Sequence, residues 1–191
     1  MQLRSLFLVV ILLAAPQLSS AAETKEATFA AGCFWCMEAI FDRVPGVTNV
    51  VSGFSGGKSA NPTYGEVSEG KTGYAETVEI TYDPEKVTYS QLLEVFFRTH
   101  DATNGRGVAP DFGSQYRSAL FYRTPEEKRA IDQIKATLEK KLGKPIATEV
   151  ALYVKFYPAE DYHQDYVKHH PNEPYVRNVS IPRLIESGFK E

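Results

Sequence analysis

The chain carries only two cysteines in 191 residues, Cys33 and Cys36. That scarcity excludes a fold held by a disulfide framework. A bridge between these two would be a weak staple, because closing so short a loop removes little entropy from the unfolded chain. The sequence has no block or stripe of Lys and Arg, and its net charge is −3, so the electrostatic footprint of a nucleic-acid binder is missing. No apolar run reaches the roughly 20 residues needed to cross a bilayer as a helix, and stable membrane insertion is not expected. Repeats and low-complexity tracts are absent. The remaining composition, 43 % hydrophobic and 24 % charged, is that of a globular domain, and the length suits one core better than two.

The N-terminus has a separate character. Arg4 precedes an apolar block, residues 6–15, followed by Pro16 and the small residues Ser19, Ser20, Ala21 and Ala22. A positive start, a short apolar block and small residues at a cleavage site are the pattern of a secretory signal peptide. An uncleaved anchor is the alternative. The expectation is a signal peptide over residues 1–22, one domain over 23–191, and an exported protein, periplasmic or secreted, acting as a monomer.

Within that domain the pattern predicts a strand at 28–31, a helix at 33–43, strands at 47–54 and 74–82, and a helix capped by Thr88. A strand at 115–122, a helix at 124–142 closed by Gly143, and a strand at 148–156 follow. Residues 55–70 and 101–113 read as Gly-rich loops, 158–169 as a short helix, and the chain from Pro171 onward as an irregular arm. The order β-α-β-β-α-β-α-β predicts an α+β fold, a two-layer sandwich in which helices pack on a mostly antiparallel or mixed sheet.

Cys33 follows a strand and a glycine and sits at the first turn of a helix. Unpaired N–H groups and the positive end of the helix dipole favour an anion there, so its thiol pKa is expected to fall. Cys36 lies one turn later on the same face, ready to condense with an oxidised Cys33. A static disulfide, or half a zinc site completed by two of the four histidines, is the alternative. Phe34 and Trp35 would wall an apolar pocket or simply pack in the core. In strand 74–82, alternation puts Glu76 on the face of Val78 and Ile80, and Glu79 with the polar residues. A carboxyl on an apolar face is held toward its neutral form, which makes Glu76 a proton donor near neutral pH unless it reaches water at a sheet edge. Tyr64, Tyr116 and Asp111 lie in or beside the Gly-rich loops. A tyrosine hydroxyl there can donate to a developing oxyanion, or be ordinary surface. His163, within the polar and aromatic run 160–166, serves proton traffic or structure.

The run Gly32-Cys33-Phe34-Trp35-Cys36-Met37-Glu38 resembles the signature of the A-type peptide methionine sulfoxide reductases. Four further blocks are similar in order and spacing: Gly53–Gly57 with Pro62-Thr63-Tyr64, Gly73–Glu76, Asp111–Ser118 and Ala159–Gln164. The resemblance covers residues 27 to 178. It implies reduction of the S epimer of methionine sulfoxide, free or in oxidised proteins. Cys33 would attack the sulfoxide sulfur and Glu76 would protonate its oxygen, helped by Tyr64 and Tyr116. Phe34 and Trp35 would bind the substrate methyl group, and Asp111 would support the site or recycling. Cys36 would resolve the sulfenic acid to a disulfide, which a thioredoxin-like reductant recycles. No metal and no bound cofactor are implied, since the electrons come from a dithiol donor.

Two departures from the family pattern stand out. Many members have Gly at the position of Cys36 and resolving cysteines near the C-terminus, which this chain lacks. The usual Pro-Thr and Asn-Arg-Gln-Gly run is replaced by residues 102–109, on the expected pocket rim and docking surface. The principal alternative is a general dithiol-disulfide oxidoreductase, which would use both cysteines but have no need of Glu76. A zinc-stabilised binding module is the non-enzymatic alternative.

Overall fold

The computed structural model describes residues 23–190, and the expected signal peptide lies outside them. Six strands form one mixed sheet in the order β7-β6-β1-β3-β2-β8. They are β1 (Lys25–Ala31), β2 (Val47–Ser55), β3 (Ala75–Tyr82), β6 (Ser118–Tyr122), β7 (Glu149–Leu152) and β8 (Phe156–Pro158). Every pairing is antiparallel except β6 with β7. β4 (Gly107–Val108) and β5 (Asp111–Phe112) make a small separate ladder.

The main helices are α1 (Phe34–Phe41), α2 (Tyr64–Ser68), α3 (Tyr89–Arg98) and α4 (Pro125–Leu142). Their ends follow the sequence. Thr63 with Glu66, and Thr88 with Gln91, close reciprocal capping boxes. α4 has Pro125 at its start and stops at Gly143 in the left-handed conformation.

The two sheet faces differ. Phe29, Val78, Ile80 and Leu120 point to the helices and join Ile40, Phe41, Leu92, Phe96 and Ile131 in the main core. The opposite face carries Ala30, Ala75, Ala119 and Phe121. Three of these four are alanine, and the sheet curls over them. A flat sheet of six strands would hold its edge strands about 24 Å apart, at roughly 4.8 Å per step. Yet β7 ends at Leu152 and its sequence successor β8 begins at Phe156 on the opposite edge. Four residue steps reach at most about 14 Å, so the two edges are drawn together.

The α+β order and the sheet with helices on one face agree with the sequence. Some local expectations do not. The loops expected at 55–70 and 101–113 contain α2 and the β4–β5 ladder. The strand expected at 148–156 is two strands on opposite edges, since residues 153–155 make the crossing and periodicity carries no such information. The strand expected from Gln115 begins at Ser118, after a 3₁₀ turn (Ser114–Tyr116). The C-terminal arm is not irregular. The short helix expected at 158–169 is a 3₁₀ turn (Asp161–His163) and α5 (Tyr166–His169), and beyond Pro171 a π-helical turn (Val176–Ser180) and α6 (Ile181–Glu186) pack onto the domain. Arg183 and Leu184 are buried there. The 3₁₀ turn and α5 are too short for a 3.6-residue period to be visible, and the continuous run 174–186 passes through a π-helical turn that breaks that period. Among the described residues no helix is long and apolar enough to cross a membrane.

Candidate active site

The turn between β1 and α1 depends on Gly32. Its φ of +74° is a left-handed conformation natural to glycine. A Cβ there would lie 2.8 Å from Val108 Cβ and 3.1 Å from Arg183 Nη1. Cys33 follows as the N-cap residue of α1, with no side-chain capping bond and only 5 % of its surface exposed.

Glu76 enters from the second position of β3, opposite Phe54 of β2. It is 2 % exposed, and its Oε2 accepts the Phe34 N–H at 3.0 Å. Burial pushes its pKa up to about 8 against that hydrogen bond, and the nearby Asp111 and Cys36 charges add to the rise. Glu76 is therefore a neutral acid at pH 7, as alternation along the strand predicts. Glu79, on the other face, pairs with Arg123 at 2.7 Å.

Cys33, Phe34, Trp35, Tyr64, Glu76, Asp111, Tyr116 and Tyr175 together line a cavity of about 250 Å³. All the sequence-expected site residues except Cys36 border it. Tyr64 comes from the first turn of α2 and Tyr116 from the 3₁₀ turn before β6. Burial raises Tyr64 to about 12 and Tyr116 higher still, so both hydroxyls keep their protons for donation. Asp111 stands on β5 and accepts a hydrogen bond from the Tyr175 hydroxyl. The altered loop over residues 102–109 thus leaves Asp111 at the pocket and supplies Val108 against Gly32.

The block Ala159–Gln164 clamps this site from outside. Glu160 accepts the Tyr64 N–H at 3.1 Å, and the Trp35 indole donates to His163 Nδ1 at 3.1 Å. That bond leaves the His163 proton on Nε2, and burial lowers its pKa, so His163 is a neutral orienting group for Trp35. Tyr166 stacks on Trp35 with centroids 3.7 Å apart and an angle of 6°. Gln164 bonds both the N–H and the carbonyl of Ser52, at 2.9 and 3.0 Å. Glu38, raised by burial to about 7, accepts from the Ser52 hydroxyl and the Asp165 N–H, tying α1 to β2 and to this block.

Cys36 lies beneath the pocket, 1 % exposed, with its Sγ 3.3 Å from Ser180 Oγ. No disulfide joins the two cysteines in this structure. The expected fall in the Cys33 pKa is not what this environment produces. Burial raises Cys33, and its hydrogen bond to Cys36 and the charges of Cys36 and Glu76 raise it further. One N–H of the first turn, that of Phe34, is taken by Glu76, and no backbone N–H caps the Cys33 side chain. The hydrogen bond from Cys33 lowers Cys36 to about 6 against its burial, and the Arg183 charge and the Ser180 hydroxyl act the same way.

The family model described as peptide methionine sulfoxide reductase matches residues 25–188. The peptide methionine sulfoxide reductase MsrA of Sulfolobus acidocaldarius is 48 % identical over 158 residues, 83 % of this chain and 90 % of that protein. The chain belongs to the peptide methionine sulfoxide reductase family. Within it the curated relatives bear the A-type name, as the resemblance implied. Among solved structures, reduced Mxr1 from Saccharomyces cerevisiae superposes with a TM-score of 0.75 at 33 % identity, covering 81 % of this chain and 90 % of that one. Mxr1 in complex with Trx2 superposes at 0.55 with 26 % identity, covering 77 % and 87 %. The protein is an oxidoreductase of the thiol-dependent, methionine sulfoxide-reducing type.

Four residues of this reductase site were not singled out by sequence reasoning: Tyr175, Ser180, Arg183 and Glu38. Tyr175 stands against Cys33 and meets Trp35 edge-on at 5.9 Å. Ser180 and Arg183 reach the cysteines from a segment without a readable period. Glu38 had a usable signal, since a carboxylate at its place on a helix with so many buried positions must have partners. His163, buried, and His100, half-buried, are engaged away from the cysteines, His163 with Trp35 and His100 with Ser118 at 2.8 Å. Among the described residues no cluster of three His, Cys, Asp or Glu side chains suits a metal ion.

Proposed function

We propose that the chain reduces the S epimer of methionine sulfoxide, free or within oxidised proteins, to methionine. The observation that carries this reading is Cys33 sharing one pocket with a carboxyl held neutral, Glu76. A sulfoxide is a poor electrophile until its oxygen is protonated, so the nucleophile needs an acid beside it. The Cys33 sulfur attacks the sulfoxide sulfur, and its thiol proton replaces the one that Glu76 gives to the oxygen. Glu76 protonates the oxygen, with Tyr64 and Tyr116 donating hydrogen bonds to it. Phe34 and Trp35 hold the methyl group, while Asp111 orients Tyr175 against Cys33. The S–O bond breaks, the oxygen passes to Cys33 as a sulfenic acid, and methionine leaves with the two electrons Cys33 has given up.

Cys36 then attacks the Cys33 sulfur, and a disulfide and water form. A thioredoxin-like dithiol returns two electrons, a step supported by the relative solved with Trx2. No prosthetic group takes part. The apolar segment over residues 6–15 supports export, and outside the cytoplasm that donor is an exported or membrane-linked thiol protein.

Incubation with the separated epimers of a blocked methionine sulfoxide, with a small dithiol as electron source, tests the reading. The S epimer is expected to be consumed and the R epimer left. Equal consumption of both contradicts the assignment.

A further inference from the structure

Arg183 is a buried cation without a carboxylate partner. Only 7 % of it is exposed, and among the described residues it forms no ion pair. Its Nε donates to the Thr99 carbonyl at 3.0 Å, and its Nη2 donates to the Ala31 carbonyl and to Met37 Sδ, the latter at 3.4 Å. A guanidinium taken this far from water with neutral acceptors alone is costly, and the acidic groups its charge acts on are Cys36 and Asp111.

These contacts put the guanidinium under one turn of chain. Ala31 and Met37 bracket the segment from Gly32 to Cys36, and Nη1 lies against the Gly32 backbone. Ser180, three residues before Arg183 in the same helical run, is the residue that hydrogen-bonds Cys36. The titratable and charged groups facing Cys36 are Cys33 from the N-cap of α1, Glu76 from β3, Asp111 from β5, Tyr175 and Arg183. Arg183 is the cation among them.

We propose that Arg183 is a positioning residue for Cys36: its fixed charge, with the Ser180 hydroxyl, holds Cys36 as the thiolate that resolves Cys33. This rests on the reading of Cys36 as the resolving cysteine. In that step the Cys36 sulfur attacks the sulfenic sulfur of Cys33. The S–S bond forms and the S–O bond breaks. The oxygen leaves as hydroxide and takes a proton to become water, while the Cys36 sulfur is oxidised and the Cys33 sulfur reduced. The hydrogen bond from Cys33 lowers the Cys36 pKa most, and the Arg183 charge and the Ser180 hydroxyl lower it further. A purely structural Arg183 would pin α6 to the turn and leave the Cys36 titration where it is.

The test follows thiolate absorbance in the ultraviolet across pH in Cys33→Ser protein, where Cys36 is the only thiol. Arg183→Gln is expected to raise the Cys36 midpoint by about one to two pH units, and Arg183→Lys to restore most of it. With both cysteines present, Arg183→Gln is expected to slow disulfide formation after one turnover about tenfold at neutral pH, in step with the lost thiolate. An unchanged midpoint in Arg183→Gln overturns the proposal. Should that variant not fold, Ser180→Ala carries the test, and an unmoved midpoint there overturns it equally. Failure of the underlying reading looks different: Cys36→Ser would then sustain full turnover with a thioredoxin-like reductant, wherever the midpoint lies.

Discussion

Glu76→Gln is expected to lower the rate of sulfoxide reduction at neutral pH by about 10²- to 10⁴-fold, the usual worth of a positioned acid. The oxidised Cys33–Cys36 pair should still react with a dithiol at its normal rate. Gln keeps the shape of the side chain and can still accept the Phe34 N–H, so the helix start and the pocket wall survive. What is lost is the proton. The pH dependence follows from the same group. The active form is the neutral carboxyl, so the rate should fall as pH rises through about 8, and the Gln variant should lack that limb.

Stability carries the same signature. The folded pKa of Glu76 lies above its ordinary value of 4.5, so the folded protein holds this proton more tightly than the unfolded chain. Its contribution is fully present below 4.5 and is lost as pH rises through about 8. Glu76→Gln should therefore melt higher than the parent at alkaline pH, by about 1 kcal/mol or more, and the gap should close in mild acid. A general disulfide exchanger has no use for this carboxyl. Full sulfoxide activity in the Gln variant would remove the acid from the mechanism and leave that alternative standing.

Cys36→Ser is expected to yield about one methionine per chain and then stall when a thioredoxin-like protein is the reductant. The sequence contains no third cysteine, so nothing else in the chain can condense with a sulfenic acid at Cys33. A small thiol that enters the 250 Å³ pocket should partly rescue turnover, because it can attack Cys33 directly. Unchanged steady-state turnover with the protein reductant would show that recycling bypasses Cys36.

The parts of this site visible in the sequence are those governed by short-range rules. Alternation along one strand put Glu76 on the core face, and β3 has that alternation. A glycine between a strand and a helix put Cys33 at a helix start, and the φ of Gly32 is why only that residue type sits easily there. Capping residues gave the starts of α3 and α4 and glycine gave the end of α4. The ionisation of Cys33 was not readable, because it depends on which group takes the Phe34 N–H and on how deeply the sulfur is buried. Both are settled by β3, more than 40 residues away in sequence. Tyr175, Ser180 and Arg183 were hidden for a related reason. Their helical run, 174–186, switches from α to π geometry and back, which blurs its period, and its contacts with residues 31–37 are wholly tertiary. The crossing from β7 to β8 is likewise a property of the curled sheet as a whole.

The central claim is that Cys33 takes the oxygen from the sulfoxide. The most direct measurement is a single turnover of Cys36→Ser protein with oxygen-labelled methionine sulfoxide, followed by trapping and peptide mass analysis. The labelled oxygen is expected on Cys33, in an amount equal to the methionine released. Methionine released without labelled oxygen on Cys33, or released at the same yield by Cys33→Ser protein, would contradict the account.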